Sequence, residues 1–225
     1  MKRVRIDLQR SDAATTESYH QLEALIGLYA TLGIQAPLPR MRGYAVSPDF
    51  ACELARIVRA LEPDLVVEFG SGVSTVISAY ALSRNGHGRI VSLDHDADWC
   101  ANSRALIAEH GLESIAEVVH APLTPLDLHG EQWLWYDMRA ITPLDSIDLL
   151  VVDGPPGHIQ SLARYPSVPV MLERLRPEGA ILLDDTDRDD EQEMLGRWSR
   201  EFESLSFENR RTEKGTVIAR RNLAP

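Results

Sequence analysis

The sequence predicts an α/β fold whose centre is a mostly parallel sheet, and three observations support this prediction. Residues 65–67 form an aliphatic, β-branched run that suits a strand buried on both faces. The run leads into a turn that contains Gly70 and Gly72, and from Val73 onward apolar residues recur with helical spacing. Farther along the chain, apolar runs alternate with amphipathic segments, which is typical of a parallel sheet built by helical crossovers.

Composition favours one globular domain. The chain has 225 residues, of which 44% are hydrophobic and 25% charged, and these values suit a single domain over residues 1–225. We expect an N-terminal arm and cap helix in residues 1–47 and the sheet-containing core in residues 48–225. The formal net charge of -11 argues against a nucleic-acid partner, because a protein that binds a duplex needs a basic face.

The N-terminal sequence and the cysteines bear on localisation. Residues 1–8 lack the continuous apolar segment of a signal peptide, and no apolar run approaches the roughly 20 residues of a membrane span. Cys52 and Cys100 indicate neither a disulfide framework nor a zinc site. We therefore expect a cytoplasmic protein without a membrane partner.

Two segments precede the first strand. Residues 2–8 alternate charged and apolar side chains, which fits either an edge strand or an ordered arm. Residues 14–33 carry an apolar stripe at helical spacing. After a loop that contains prolines and arginines, Ser47 is a good N-cap and Pro48 suits the first position of a second helix.

The rest of the chain alternates between strands and helices. We predict strands at 89–93, 116–119, 147–152 and 180–183, helices at 97–110, from 166 and at 189–203, and a closing antiparallel hairpin at 204–210 and 216–220. Residues 122–145, which hold Trp133, Trp135 and Tyr136, interrupt this alternation and receive no element. The pattern gives a seven-stranded sheet in which the last strand is antiparallel.

Polar residues follow the ends of the predicted parallel strands, where an open sheet binds its ligands. They are Glu68 with the loop 70–75, Asp94 with His95, residues 120–122, Asp153, and Asp184 with Asp185. An acidic residue at the end of the second strand suits the ribose hydroxyls of an adenosine cofactor, so Asp94 is compatible with NAD or S-adenosylmethionine. Thr75 stands where a dinucleotide-binding loop usually has a third glycine or alanine, and this favours S-adenosylmethionine.

Four motifs follow one another along the chain: Glu-Phe-Gly-Ser-Gly-Val-Ser-Thr, Val-Ser-Leu-Asp-His-Asp, Leu-Leu-Val-Val-Asp-Gly-Pro-Pro-Gly and Ala-Ile-Leu-Leu-Asp-Asp. Together with the terminal hairpin, they resemble a class I S-adenosylmethionine-dependent methyltransferase, and this implies a Rossmann-like fold. The resemblance covers roughly residue 49 to the end, although Ser74 stands where the family's loop often has a third glycine. It places these residues at the cofactor: Glu68, Gly70, Ser71, Gly72, Ser74, Thr75, Asp94, His95, Ala121 and Asp153.

The acidic strand ends also resemble those of metal-dependent O-methyltransferases that act on catechols and antibiotic sugars. This resemblance implies that Asp153, Asp184 and Asp185 hold Mg²⁺, which prefers oxygen ligands and lowers the pKa of a bound hydroxyl. It also implies that Asp153 or His120 takes the proton of the acceptor.

Two arginines offer an alternative to the metal. Arg164 and Arg188 each follow a strand-end motif and are able to pair with Asp184 or Asp185. In that case, a guanidinium group replaces the charge of the cation.

The expected reaction is methyl transfer from S-adenosylmethionine to a hydroxyl group of a small molecule, such as a sugar or another natural product. The two N-terminal helices are expected to close over the active site or to form a homodimer interface. Two other functions remain open: an NAD-dependent oxidoreductase on a related Rossmann fold, and a non-catalytic protein that keeps the cofactor fold as a scaffold.

Overall fold

A seven-stranded sheet lies at the centre of the protein in the computed structural model, which describes residues 2–222, with side chains from residue 14 onward. The strands of the described chain are β1 (Leu65–Phe69), β2 (Arg89–Asp94), β3 (Ala116–His120), β4 (Leu123–Leu128), β5 (Glu131–Tyr136), β6 (Ile147–Val152), β7 (Leu175–Asp184), β8 (Leu205–Arg210) and β9 (Thr216–Arg221). The sheet has the order β3-β2-β1-β6-β7-β9-β8. Because β9 alone runs against the other six strands, the predicted sheet with an antiparallel last strand is confirmed.

The register of the parallel strands aligns their carboxyl ends. Phe69 at the end of β1 lies opposite Leu93 of β2 on one side and opposite Val152 of β6 on the other. Val152 in turn lies opposite Leu183 of β7. The residues that follow these four strands are therefore neighbours along one edge of the sheet.

Helices cover both faces of the sheet. They are α1 (Lys2–Leu32), α2 (Pro48–Leu61), α3 (Val73–Asn85), α4 (Ala97–Glu109), α5 (Met138–Ile141), α6 (Ser167–Met171) and α7 (Asp189–Glu201). Helices α1 to α4 pack with Val66 on one face, whereas α5 to α7 and the β4–β5 hairpin pack with Val67 on the other. Both valines are fully buried, which explains why β1 is apolar without alternation.

The N-terminal segment corrects one of our predictions. Residues 2–8, which we expected to form an edge strand or an arm, belong to helix α1. No proline or glycine interrupts residues 2–26, so the helix of residues 14–33 extends toward the N-terminus. Tyr19, Leu22 and Ile26 are exposed on this helix, and the homodimer interface stays a prediction.

The interruption at residues 122–145 contains an antiparallel hairpin that the sequence analysis did not assign. Strands β4 and β5 pair from Leu123 opposite Tyr136 to Leu128 opposite Glu131. Trp133 and Trp135 are buried in the second core, whereas Leu134 between them is exposed. This period of two is the signal from which the strand was predictable.

The helix predicted from residue 166 is shorter than its apolar pattern indicates. Helix α6 ends at Met171, and a 3-10 turn at Leu172–Arg174 leads into β7. Leu175, whose spacing from Val168 and Met171 fits the apolar face of a longer helix, begins this strand opposite Ile147 of β6.

No helix of the described chain combines the length and the apolar character that a membrane crossing requires. The cytoplasmic location stays a prediction.

Candidate active site

A cavity of about 850 Å³ opens at the carboxyl ends of β1, β2 and β6. The loop with Gly70 and Ser71 lies between Asp94, which ends β2, and Asp153, which follows β6. Several residues between 39 and 46, in the segment that joins α1 to α2, complete the wall.

The loop between β1 and α3 brings bare backbone to this cavity. Gly70 has a φ of +99° and Gly72 a φ of +143°, values that residues with side chains rarely adopt. The N–H of Gly70 donates to the carbonyl of Leu93 over 2.9 Å, which ties the loop to β2. On the other side, a Cβ added to Gly154 would lie 3.1 Å from the Gly70 nitrogen. The loops that follow β1 and β6 therefore meet backbone to backbone.

Glu68 lies beneath this loop. Its buried carboxylate accepts hydrogen bonds from the hydroxyl groups of Thr75, over 2.6 Å, and of Ser92, over 2.5 Å. Thr75 in turn accepts a hydrogen bond from the N–H of Gly72 over 3.1 Å. Glu68 and Thr75, two of the predicted cofactor contacts, thus support the loop from below and do not line the cavity.

The environment of Glu68 disfavours its ionised form. Burial raises the pKa of Glu68 to about 7, although hydrogen bonds from Ser74, Ser92 and Thr75 act in the opposite direction. One carboxylate oxygen has no hydrogen-bond partner among the described residues. The proton of Glu68 is therefore held more tightly than that of an exposed glutamate.

Asp94 presents an ionised carboxylate to the cavity. Its Oδ2 accepts a hydrogen bond from the Ser71 hydroxyl over 2.7 Å, and that hydroxyl lies 2.8 Å from the hydroxyl of Ser103. Its Oδ1 accepts the N–H of Asp96 over 3.1 Å. Burial acts to raise the pKa of Asp94, but hydrogen bonds from His95 and Ser71 outweigh it, so that this pKa is lowered.

Most of the predicted cofactor residues line this cavity. They are Gly70, Ser71, Gly72, Ser74, Asp94, His95 and Asp153. Ala121, which is fully buried, does not line it, and neither does the exposed His120.

His120 and Asp153, either of which is predicted to take the proton of the acceptor, lie at different places along the sheet edge. His120 ends β3, the outermost strand, which lies three strand positions from β6 in the sheet. At about 4.8 Å per position, the ends of these strands are roughly 14 Å apart. Asp153 is therefore the one of the two that remains beside the cavity.

Asp153 joins the cavity to a cluster of buried charges. Its Oδ1 accepts a hydrogen bond from Nη2 of Arg164 over 3.2 Å, and the same nitrogen donates to Oδ2 of Asp185 over 2.7 Å. Arg188 lies 3.0 Å from the same Asp185 oxygen, and Lys214 lies 3.6 Å from the other. Burial raises the pKa of Asp153 to about 6, while the positive charge of Arg164 opposes the shift.

The structure brings the three predicted metal ligands together. One oxygen from each of Asp153, Asp184 and Asp185 lies within 4.8 Å of the other two. Burial raises the pKa of Asp184 well above its ordinary value, and its two oxygens have no hydrogen-bond partner within the described chain. However, the guanidinium group of Arg164 already lies against Asp153 and Asp185, so this arrangement does not fit a divalent cation.

A second cavity, of about 480 Å³, adjoins the first at Asp153. Its walls include Arg164, Asp185, Arg188 and residues 189–191 at the start of α7. Charged groups therefore dominate the second cavity.

Tyr44 lies at the boundary of the two cavities and lines both. Its side chain is 85% exposed. The carbonyls on either side of it, those of Gly43 and Ala45, accept hydrogen bonds from Nζ of Lys214 over 3.0 and 3.1 Å. Arg42 also forms an ion pair with Glu213, so the turn of the C-terminal hairpin holds the segment that carries Tyr44.

Sequence reasoning missed several residues of the site. Tyr44, Ser103 and Tyr136 line the first cavity, and they come from segments for which strand-end motifs gave no indication. Tyr136 belonged to a conspicuous aromatic group, but its place depends on the β4–β5 hairpin.

Comparison of the sequence with protein families identifies a methyltransferase family. A model described as a methyltransferase domain matches residues 67–186, which is more than half of the chain. No curated protein is significantly similar to the chain in sequence.

The fold is similar to those of solved methyltransferases. A methyltransferase from Podospora anserina, determined with bound SAH, has 16% sequence identity and a TM-score of 0.67 over 94% of this chain and 96% of its own. An O-methyltransferase from Bacillus cereus in complex with SAH has 18% identity and a TM-score of 0.63 over 91% of this chain and 96% of its own. TomG from Streptomyces achromogenes, an O-methyltransferase of tomaymycin synthesis in complex with SAM, has 16% identity and a TM-score of 0.62 over 92% and 96% of the two chains.

The raised pKa of Glu68 predicts a pH-dependent stability that Glu68→Gln removes. The folded protein binds this proton more tightly than the unfolded chain, so the stabilisation is present at low pH and is lost as the pH rises through about 7. Between pH 6 and pH 8, the free energy of unfolding of the wild type should fall by about 1 kcal/mol relative to the variant. Urea denaturation at both pH values measures this difference.

Glu117→Gln, at an exposed position on β3, is the matched control for this measurement. Its difference from the wild type should be the same at both pH values. An equally constant difference for Glu68→Gln would contradict the assigned environment of Glu68.

Proposed function

Because the chain belongs to the family of methyltransferase domains, we propose that it transfers the methyl group of S-adenosylmethionine to a hydroxyl group of a small polar molecule. The observation that carries this proposal is the relation of the two cavities. The wall of the first cavity carries Asp94, a carboxylate placed to bind the ribose of an adenosine cofactor. The first cavity meets the second, charged cavity at Asp153. Such an arrangement suits a cofactor and an acceptor that meet at one carboxylate.

The first cavity suits the parts of the cofactor in order along the sheet edge. The ionised carboxylate of Asp94 accepts hydrogen bonds from the ribose hydroxyls. The adenine then lies toward Trp99 and Leu106 of α4, which line the same cavity. The methionine part extends over Gly70 and Gly72 toward Asp153. The N–H groups at the start of α3 then face its carboxylate, which is the anionic group of this part.

The second cavity suits a polar acceptor. Arg164, Arg188 and the acidic residues 189–191 surround it, and an aromatic acceptor would leave many of these charges without solvent or partners. A molecule with several hydroxyl groups, such as a sugar, supplies both donors and acceptors for them. Tyr44, which lines both cavities, is the residue placed to cover such an acceptor next to the cofactor.

Asp153 acts as the general base in this proposal. An acceptor hydroxyl donates its proton to the Asp153 carboxylate, and the oxygen forms a bond to the methyl carbon as the carbon–sulfur bond breaks. The electron pair of that bond stays on sulfur, which gives S-adenosylhomocysteine. The fixed positions of the two ligands provide the in-line approach. The magnesium implied by the resemblance has no step here, because Arg164 occupies its surroundings.

The other functions considered at the outset are less well supported. Membership of a methyltransferase family argues against the NAD-dependent oxidoreductase. A non-catalytic scaffold would keep the cofactor cavity without using Asp153, so the turnover experiment below separates it from an enzyme.

Isothermal titration calorimetry with S-adenosylhomocysteine tests the cofactor site. We expect one site per chain in the wild type and binding about 10-fold to 100-fold weaker in Asp94→Ala, because hydrogen bonds to a charged acceptor are lost. Asp98→Ala, a change at an exposed aspartate of α4 outside the cavity, is the control and should bind as the wild type does. Absence of binding to the wild type at millimolar ligand would refute the proposal.

The pH dependence of turnover tests the role of Asp153. With an acceptor found by screening polyhydroxylated compounds for S-adenosylhomocysteine release, the rate should fall as the pH decreases through about 6, where Asp153 takes up a proton. Asp153→Asn should lower kcat by about 10²-fold to 10⁴-fold and still bind S-adenosylhomocysteine. Asp98→Asn should keep wild-type turnover. A fully active Asp153→Asn enzyme would eliminate this residue as the base.

A further inference from the structure

Arg164 is a buried cation fixed by hydrogen bonds from both ends of its guanidinium group. The residue is 3% exposed. Its Nη1 donates to the backbone carbonyl of Asp184 over 3.0 Å, and its Nη2 donates to both Asp153 and Asp185. Its Nε lies 3.7 Å from the Glu191 carboxylate. The guanidinium group therefore has one position, between the end of β6, the end of β7 and the start of α7.

A divalent cation held by Asp153, Asp184 and Asp185 would lie next to this position. The carboxylates of Asp153, Asp184 and Asp185 present oxygens close enough to one another to share an ion. Each oxygen of Asp185 already faces a cation: Oδ2 lies 2.7 Å from Nη2 of Arg164, and Oδ1 lies 3.6 Å from Nζ of Lys214. An ion bound to Oδ2 at the usual distance of about 2.1 Å would lie within about 5 Å of Nη2. The two positive charges would then compete for the same oxygens.

The charges of the cluster are already nearly balanced. Four carboxylates belong to it: those of Asp153, Asp184, Asp185 and Glu191. Arg164, Arg188 and Lys214 supply three positive charges within 4 Å of these carboxylates. A divalent cation would add two positive charges to a largely buried cluster whose charges are already nearly balanced, which its burial disfavours.

We propose that Arg164 takes the place of the divalent cation and is the positioning residue that fixes Asp153 and Asp185 beside the acceptor. The role of Arg164 in catalysis rests on the proposed methyl transfer. In that case, the reaction proceeds without a metal. Asp153 faces the acceptor, whereas Arg164 acts through Asp153.

Manganese binding, followed by the EPR signal of free Mn²⁺, tests this proposal without an activity assay. The wild type should leave the signal unchanged up to about 1 mM protein and ion. Arg164→Gln removes the charge and leaves three carboxylates, so it should bind one Mn²⁺ per chain at least 10-fold more tightly than the wild type. Arg164→Gln with Asp185→Asn should lose this binding, and Arg164→Lys, which keeps a positive charge, should exclude the ion.

Two results would overturn the proposal. One is a wild-type protein that binds a single Mn²⁺ which Asp185→Asn abolishes. The other is a folded Arg164→Gln variant, with an unchanged circular dichroism spectrum, that binds no Mn²⁺. If Arg164→Gln does not fold, the comparison of the wild type with Asp185→Asn tests the proposal. Absence of Mn²⁺ binding in both proteins supports it. Mn²⁺ binding by the wild type that Asp185→Asn abolishes refutes it.

Calorimetry with S-adenosylhomocysteine on the same wild-type sample separates this proposal from the proposed function. Failure to bind S-adenosylhomocysteine would count against methyl transfer, and the Mn²⁺ result would still test whether Arg164 takes the place of the cation. Binding of both S-adenosylhomocysteine and Mn²⁺ by the wild type would keep methyl transfer and remove the role of Arg164.

Discussion

The parallel pairing of β1 with β2 on one side and β6 on the other is the constraint on which the site depends. It fixes the chain segments that follow three strands at neighbouring positions along one edge. Asp94, the glycine loop and Asp153 are far apart in sequence, and only this register brings them to one cavity. Between the ends of β1 and β6, the backbone of Gly70 lies directly against that of Gly154. A Cβ at Gly154 would clash with the Tyr136 hydroxyl and press on the Gly70 backbone, so a side chain there would force the two loops apart.

The site places three carboxylates, of which those of Glu68 and Asp94 are buried and that of Asp153 is partly exposed, in different environments that suit different roles. Glu68 has hydroxyl donors but no cation, and burial raises its pKa to about 7, which suits a structural group beneath the loop. Asp94 has donors on both oxygens and a lowered pKa, which suits a permanent hydrogen-bond acceptor. Asp153 has an arginine partner and a pKa raised to about 6, which suits a group that takes up and releases a proton. Environment, rather than residue type, distinguishes them.

The sequence was sufficient where local pattern and strand order determine structure. The apolar run before Gly70 and the alternation of strands with helices predicted the sheet, and the polar strand ends predicted Asp94 and Asp153 at one edge. It was insufficient where contacts join distant segments. Ser92 of a neighbouring strand donates a hydrogen bond that orients Glu68 beneath the loop, and the cofactor contact that the resemblance implies for Glu68 stays a prediction. The segment that holds Tyr44 depends on the hairpin turn at Lys214, and no periodicity in either segment indicates this contact.

A crystal structure of the complex with S-adenosylhomocysteine would show directly whether the cofactor occupies the first cavity. We expect ribose hydroxyls within about 3 Å of the Asp94 carboxylate, backbone of the Gly70–Gly72 loop against the amino-acid part, and the sulfur directed toward Asp153. Density for the ligand outside this cavity, or a ribose that does not contact Asp94, would contradict it.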